Sequence, residues 1–439
     1  MQDTPERPEP EDAPAPAPPA RGRFARTVRN VAIDLSPLRA SRDYRLLWFG
    51  ELISETGHQI TVVAIFFQLY RITGSAVAVG LVGLVQLVAL MLSSIAGGSI
   101  IDAVDRRKML LLTQFGYIVS SGALLAGAVA GHPPVWLIYA AAALTAALSG
   151  LDFPTRSAMT PRLVGEERLP AALALNQVLF NITIIVGPAI GGVIIARFGL
   201  PWAYGIDLVT YGATIGAAAL LKPMPPLETE GGRTRGMAAV REGLAYLKGR
   251  RVLQSTFYID IIAMVFGMPR ALFPILAETQ FHRGPEILGL LYSSVGVGAL
   301  IAAMTAGWVS GVHRQGRAVV LAVCLWGAAI AAFGLVGNHL VAALIFLAIA
   351  GGADVVSAVF RGTILQLSVP DALRGRLSGI HIMVVTGGPR VGDFEAGLVA
   401  QIFTPAISVV SGGLLCVAGA AGLAMAVPAF WRYRAGEET

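Results

Sequence analysis

From Tyr44 onward, long apolar runs alternate with short polar turns. A helix needs about 20 residues to cross the hydrocarbon of a bilayer. Twelve runs approach or exceed that length: 44–70, 76–101, 109–130, 134–152, 169–196, 201–221, 252–277, 287–311, 318–337, 339–360, 377–402 and 405–430. Runs nine and ten meet at Asn338–His339, where one kinked segment is the alternative reading. The pattern predicts an all-α integral membrane protein with twelve transmembrane helices.

Composition strengthens that reading. Of 439 residues, 55% are hydrophobic and 14% charged, against about 25% charged in a typical soluble protein, which disfavours a water-soluble enzyme. Most of the 51 glycines lie inside apolar runs, where small residues let membrane helices approach closely. Cys324 and Cys416 sit in apolar stretches at no metal-ligand spacing, so neither a disulfide nor a cofactor is expected. The net charge is +6, but the basic residues flank apolar segments, a mark of topology rather than nucleic-acid binding. Of the 33 Lys and Arg residues, all but Arg71, Arg197, Arg270, Arg283 and Arg390 fall on one side when both termini are placed in the cytoplasm.

The predicted division is a disordered Pro/Ala-rich tail (1–35), a six-helix half (36–222), a linker (223–251), a second six-helix half (252–432) and a short cytoplasmic tail (433–439). Met1–Ala20 is rich in proline and acid with almost no apolar anchor, and no apolar run follows closely enough for a signal peptide. In the linker, Val240, Leu244 and Leu247 share one face of a helix expected to lie on the inner membrane surface or simply to join the halves. An internal repeat supports the two halves. Gly187-Pro188-Ala189-Ile190-Gly191 recurs as Gly388-Pro389-Arg390-Val391-Gly392, and other paired stretches share the same offset of 200 to 210 residues. Duplication of this kind builds a transport site between the halves, near mid-membrane.

The loop after run two, Gly98-Ser-Ile-Ile-Asp102-Ala-Val-Asp105-Arg106-Arg107-Lys108, resembles the signature of the major facilitator superfamily. The resemblance runs from about Leu38 to Arg434. It implies two pseudo-symmetric six-helix halves, with Gly98, Asp102, Asp105, Arg106 and Arg107 forming a conformational latch at the cytoplasmic ends. Ala103 stands where an Arg is usual, and a plain positive-inside anchor is the alternative. Gly187, Pro188, Gly191 and Gly192 resemble the pattern that marks exporters. Thr160–Leu169, Trp202–Gly205, Phe273–Ala277 and Val384–Gly387 look like the enterobactin exporter branch, within a wider group of drug and macrolide efflux proteins. That branch implies proton-driven export of catecholate siderophores or other amphiphilic compounds.

Charge inside hydrocarbon is costly, so each such residue is a functional candidate. Run one carries Glu51 and Glu55 one turn apart, with His58 three residues on. Glu55 falls near mid-membrane, where a carboxyl can exchange a proton near neutral pH; fixed pairing for packing is the alternative. Asp260 of run seven is expected to face Glu51 or Glu55. Arg270 is read as meeting an anionic substrate or an acid of run eleven. Arg390 and Asp393 share a face as a local ion pair, with Arg390 also a candidate anion contact. Asp354 is a weaker coupling candidate, and Asp207 is expected to reach interfacial water. Run four lacks the arginine that many drug–proton antiporters carry there, its only charge being Asp152 beside Arg156 at the cytoplasmic end. Gln68, Phe66, Tyr258, Phe257, Tyr292 and Phe360 are candidates for an amphiphilic pocket.

Together these features predict a monomeric secondary exporter in the cell membrane. It would work on a small molecule by alternating access and proton antiport. Proton-coupled uptake and a transport-incompetent scaffold or receptor are the rivals. No catalytic set and no Gly-x-x-x-x-Gly-Lys-Ser/Thr loop is present, so neither an enzyme nor ATP-driven transport is expected.

Overall fold

The computed structural model describes residues 34–225 and 237–434. Most of the predicted N-terminal tail, residues 226–236 of the linker and the last five residues lie outside the described residues. So do the side chains of Gly98 and Asp102 in the predicted latch, and that of Val240.

Six long helices precede the linker: α1 (Arg42–Thr73), α2 (Ala76–Ala103), α3 (Arg106–Val129), α4 (Val135–Val164), α5 (Leu169–Phe198) and α6 (Leu200–Leu220). Six helical segments follow it: α7 (Arg251–Phe266), α8 (Pro285–Thr305), α9 (Gln315–Leu335), α10 (Leu340–Ser368), α11 (Asp371–Ile402) and α12 (Pro405–Ala426). Local chemistry sets the ends. The Ser41 hydroxyl accepts from Tyr44 N at the start of α1, and Gly74 closes that helix in the left-handed region, its N–H returning to the Tyr70 carbonyl. Below, the near face is the one carrying Arg42 and the linker. The far face carries the turn at Gly74.

Nine helical spans among the described residues are long and apolar enough to cross a bilayer. The remaining long helices, α1, α6 and α11, have 32, 21 and 32 residues, which is sufficient length. They are the more polar ones because they carry Glu51, Glu55, Asp207, Arg390, Asp393 and Glu395. Leu92, Phe115, Trp136, Val209, Met304, Leu335 and Met425 are exposed on the outside of the bundle, as a lipid-facing belt requires.

Three helices differ from expectation. α4 continues to Val164 rather than stopping at Asp152, with Pro154 and Pro161 inside it. Proline removes one helical hydrogen bond but does not end a membrane helix whose neighbours support it. α10 runs on past Phe360 to Ser368. α7 is interrupted after Phe266: a 3-10 turn, Arg270–Leu272, leads into a second helical piece, Phe273–Thr279. The break is held by side chains. Trp326 Nε1 donates to the Gly267 carbonyl at 2.8 Å, Tyr292 Oη to the Arg270 carbonyl at 3.0 Å, and Ala271 N to Asp393 Oδ1 at 3.1 Å.

The first six helices pack mainly among themselves, as do the last six, and two seams join the groups: α5 with α8 and α2 with α11. Both seams lie toward the far face and are closed by glycine. A Cβ at Gly192 would stand 3.1 Å from the Gly289 Cα, so the α5 and α8 backbones touch. Gly80 and Gly83 of α2 likewise abut the Asp393 and Arg390 carbonyls of α11. The repeated Gly-Pro pattern has one geometry in both places: Gly187 and Gly191 seat α5 on α1, while Gly388 and Gly392 seat α11 on α7. Ser75 Oγ (3.2 Å) and Ala76 N (3.1 Å) donate to Gln401 Oε1, so α11 supplies an end cap for α2. Across the same face Arg71 approaches Glu278 at 3.9 Å.

The linker helix, Met237–Leu247, is not free on a membrane surface. Leu247 is buried against Leu253, Phe257, Leu365, Leu377 and Ile380, and Glu242 pairs with Arg376 of α11. Leu244 alone of the described predicted apolar face stays exposed.

Candidate functional site

Where the far half of α1 is sealed, with Ile60, Val63 to Leu69 all buried, its near half lines a void. That void is a cavity of about 700 Å³ bounded by Tyr44, Trp48, Glu51, Glu55 and His58 of α1, Tyr117 of α3, Asp152, Phe153 and Arg156 of α4, Phe180 of α5, Tyr211 of α6 and Arg390 of α11, among others. Its lining reaches the near-face ends of α1, α4 and α5 at Tyr44, Thr160 and Leu173. The volume suits a drug-sized molecule. Among the described residues, Arg390 is the one lining residue from the last six helices.

The charged centre of the cavity is Arg156. Its Nε donates to Asp152 Oδ2 at 2.6 Å, and its Nη1 lies 3.2 Å from Glu51 Oε2. Asp152 Oδ1 also accepts from Thr113 Oγ1 (2.7 Å) and Gln114 Nε2 (3.1 Å). Glu55 faces the void outside this triad; among the described residues its Oε1 accepts from Gln59 Nε2 at 3.0 Å. The predicted absence of an arginine in the fourth helix is therefore overturned. Arg156 is in α4 and within the protein; the apolar run that ends at Asp152 stops four residues short of it.

Deeper in, Tyr117 and Tyr211 stack with ring centroids 5.2 Å apart, and His58 Nδ1 lies 3.4 Å from Tyr211 Oη. Asp207 is fully buried rather than wetted at the interface; it accepts from Thr61 Oγ1 at 2.7 Å and Ser121 Oγ at 2.5 Å. The predicted aromatic pocket does not form. Gln68 accepts from Tyr204, Tyr292 caps the α7 break, and Phe257 and Phe360 are buried. Tyr258 is exposed on the outside.

The last six helices hold a second ionic group. Asp260 is fully buried and does not face Glu51 or Glu55, because that face of α7 packs against α10. It lies 2.7 Å from Arg361 Nη1, itself almost completely buried, and 3.6 Å from His381 Nδ1. Arg361 Nη2 lies 3.9 Å from Asp354. Arg361 was missed because the tenth run was ended at Phe360. The pairing predicted within α11 is also corrected: Asp393 turns to Ala271 N and to Arg270 Nη2 at 4.0 Å, while Arg390 Nη1 donates to the Thr386 carbonyl at 2.6 Å.

At the near face, Asp105 turns its carboxylate to its own helix, accepting from Arg107 N and Lys108 N. Arg107 donates to the Ala218 (2.8 Å) and Ala219 (2.6 Å) carbonyls of α6, and Arg106 N to the Met224 carbonyl. These contacts stay within the first six helices, on the face where the cavity lies.

A helix bundle joined at one end and hollowed at the other, around paired charges and aromatic rings, has the architecture of a membrane transporter. Solved structures share it. A nucleoside transporter, NupG, superposes with a TM-score of 0.69 at 11% identity, covering 89% of this chain and 100% of its own. A POT family transporter in complex with 5-aminolevulinic acid gives 0.70 at 14% identity, covering 89% and 97%. A bacterial homologue of the iron transporter ferroportin, in an inward-facing state, gives 0.63 at 15% identity, covering 86% and 98%. The fold is that of the major facilitator transporters.

Residues 32–435 match the model of the transmembrane secretion effector family, MFS_3, and the chain belongs to that family. Its relatives include the enterobactin exporter EntS of Citrobacter koseri, 27% identical over 392 residues (88% of this chain, 92% of that one). The EntS of Shigella boydii serotype 18 is 26% identical over 381 residues (87% and 91%). The protein is a multi-pass membrane transporter and not an enzyme.

Proposed function

We propose that this transporter is a proton-driven exporter of a small amphiphilic compound of the catecholate siderophore type. The carrying observation is the cavity, in which Glu51, Glu55, Arg156 and Arg390 surround the stacked Tyr117–Tyr211 pair. The likeness to enterobactin exporters supports the direction and the substrate class. The Lys/Arg asymmetry makes the near face cytoplasmic. On that assignment the structure is open to the cytoplasm and closed outside by the two glycine seams.

The chemistry follows from the lining. Aromatic rings offer a face on which a catechol ring stacks. Ionised Glu55 accepts from catechol hydroxyls, and Arg156 and Arg390 meet any ionised oxygen. A proton arriving from outside neutralises Glu55 or Glu51 and removes that acceptor, so proton and substrate compete for one carboxylate. Competition of this kind is what antiport requires. The halves 36–222 and 252–432, joined by the linker, rock about the cavity, and the exporter works as a monomer.

The test uses a host lacking its own exporters. Secretion of a catecholate siderophore restored by this protein, and lost in the Glu51→Gln/Glu55→Gln double variant that still reaches the membrane, is the expected result. Undiminished secretion in the double variant removes the coupling assignment. Accumulation of the compound inside the cell would reverse the direction.

A further inference from the structure

The two halves carry the same ionic motif. In the first, an arginine of α4 (Arg156) contacts an acid of α1 (Glu51) and an acid earlier in its own helix (Asp152). In the second, an arginine of α10 (Arg361) contacts an acid of α7 (Asp260) and an acid earlier in its own helix (Asp354). The arginines are 205 residues apart and the first acids 209, both within the 200 to 210 residues that relate the two halves. Each motif has two carboxylates to one guanidinium. In the first half the excess negative charge lines the cavity. In the second it is enclosed, and an imidazole, His381, has been added to it.

We propose that Asp260, Asp354, Arg361 and His381 form a second proton-binding site, which takes up one proton per protein independently of the cavity acids. Charge balance carries the argument. With His381 neutral the cluster holds one uncompensated negative charge in a buried place, which is costly; one proton on His381 or Asp354 cancels it. Geometry agrees. Asp260 and Arg361 are sealed, whereas the side chains of His381 and Asp354 are about a quarter exposed and so can exchange a proton. Beyond the Asp260 Oδ1–Arg361 Nη1 contact the cluster has unused hydrogen-bonding capacity: Asp260 Oδ2, Arg361 Nε, Asp354 Oδ1 and Ser357 Oγ are buried without a hydrogen-bond partner among the described residues. Natural interiors rarely leave such atoms idle unless a proton or water serves them. Asp354 borders a void of about 10 Å³ at the α7 break, near the size of a single water.

No surrounding cation among the described residues belongs to this cluster alone. Arg270 lines the same void as Asp354 and its field reaches that carboxylate, but its nearest acid is Asp393, at 4.0 Å, so its charge is shared. Arg317, the one charge of α9, lies over the Trp431 ring, and α12 has no charged residue or histidine. Arg376, on the turn before His381, pairs with Glu242 of the linker helix. The Phe257 ring stands edge-on to His381 and carries no charge.

The binding itself needs no substrate, so it is measured apart from the transport reading, on which only its role in export rests. The full-length protein, purified into lipid, is titrated between acid and alkaline pH while proton uptake is counted and carboxyl and imidazole infrared bands are followed. The wild type should bind one proton more than Asp260→Asn, in which the excess charge is gone although His381 and Asp354 are intact. It should also bind one more than the His381→Gln/Asp354→Asn double variant. A purely structural role for Asp260 would not change the count at His381 and Asp354. The single variants assign the proton: loss in His381→Gln places it on the imidazole, loss only in Asp354→Asn on the carboxyl. Counts equal to wild type in both Asp260→Asn and the double variant overturn the proposal. Glu51→Gln should leave this proton in place.

Discussion

Two arginines with matching partners meet different surroundings. Arg156 stands beside the cavity, and one of its acids, Asp152, retains two neutral donors, Thr113 and Gln114. Arg361 is enclosed, and among the described residues Asp260 is paired with it and with His381. The comparison teaches that hydration, more than residue identity, decides what a buried ion pair can do. A pair reached by water can be opened by a ligand. A sealed pair changes state only when its net charge changes.

Substitution should separate the two most strongly in stability. Arg361→Met leaves Asp260 buried and uncompensated, a loss of about 3–5 kcal/mol, read as a lower thermal denaturation midpoint in detergent. Adding Asp260→Asn should restore most of it. Arg156→Met should cost less, about 1–3 kcal/mol, because Asp152 keeps its Thr113 and Gln114 donors and Glu51 borders the cavity. Equal losses at the two sites would erase the distinction. Next in size is an effect on transport: Glu55→Gln, which leaves the Arg156 triad untouched, should reduce efflux driven by a pH gradient at least tenfold, roughly 1.4 kcal/mol in the driving interaction. Everted vesicles with an imposed gradient measure it.

A sharper form asks which half supplies the cation to the substrate. Arg390→Gln should weaken export of an anionic compound about tenfold or more, roughly 1.5 kcal/mol for a charge-assisted contact from this half-buried side chain, and spare an uncharged analogue. Equal loss for both would make Arg390 a packing residue. The smallest expected effect concerns the far-face closure. Gln401→Ala removes the cap that α11 gives α2, worth about 0.5–1 kcal/mol, and should shift the population modestly toward outside opening. Distances between spin labels on the far-face ends of α2 and α11 would register the change.

Much of this was legible in the chain. The apolar runs located the helices, and the Gly-Pro repeat corresponds to matched seats of α5 on α1 and α11 on α7. Glu51, Glu55, His58 and Arg390 do border one cavity. The failures share a physical cause. A charge or a proline beside an apolar run reads as the end of a helix, so Arg156 and Arg361 were left outside the membrane. Both helices continue because the charges find partners on neighbouring helices. Those partners are distant in sequence. For the same reason Asp260 was assigned to the wrong neighbour and Asp207 to water: a hydropathy pattern gives depth in the bilayer, but not which way a side chain is turned.

The interruption in α7 has a mechanical consequence. Interrupted membrane helices are often treated as points of bending, yet here Trp326 of α9, Tyr292 of α8 and Asp393 of α11 each fasten a backbone group of the gap. Three fasteners from three helices turn a weak point into a rivet. The second lobe is thereby stiffened across its middle, so its swing must be taken up where the lobes meet and along the strap between them.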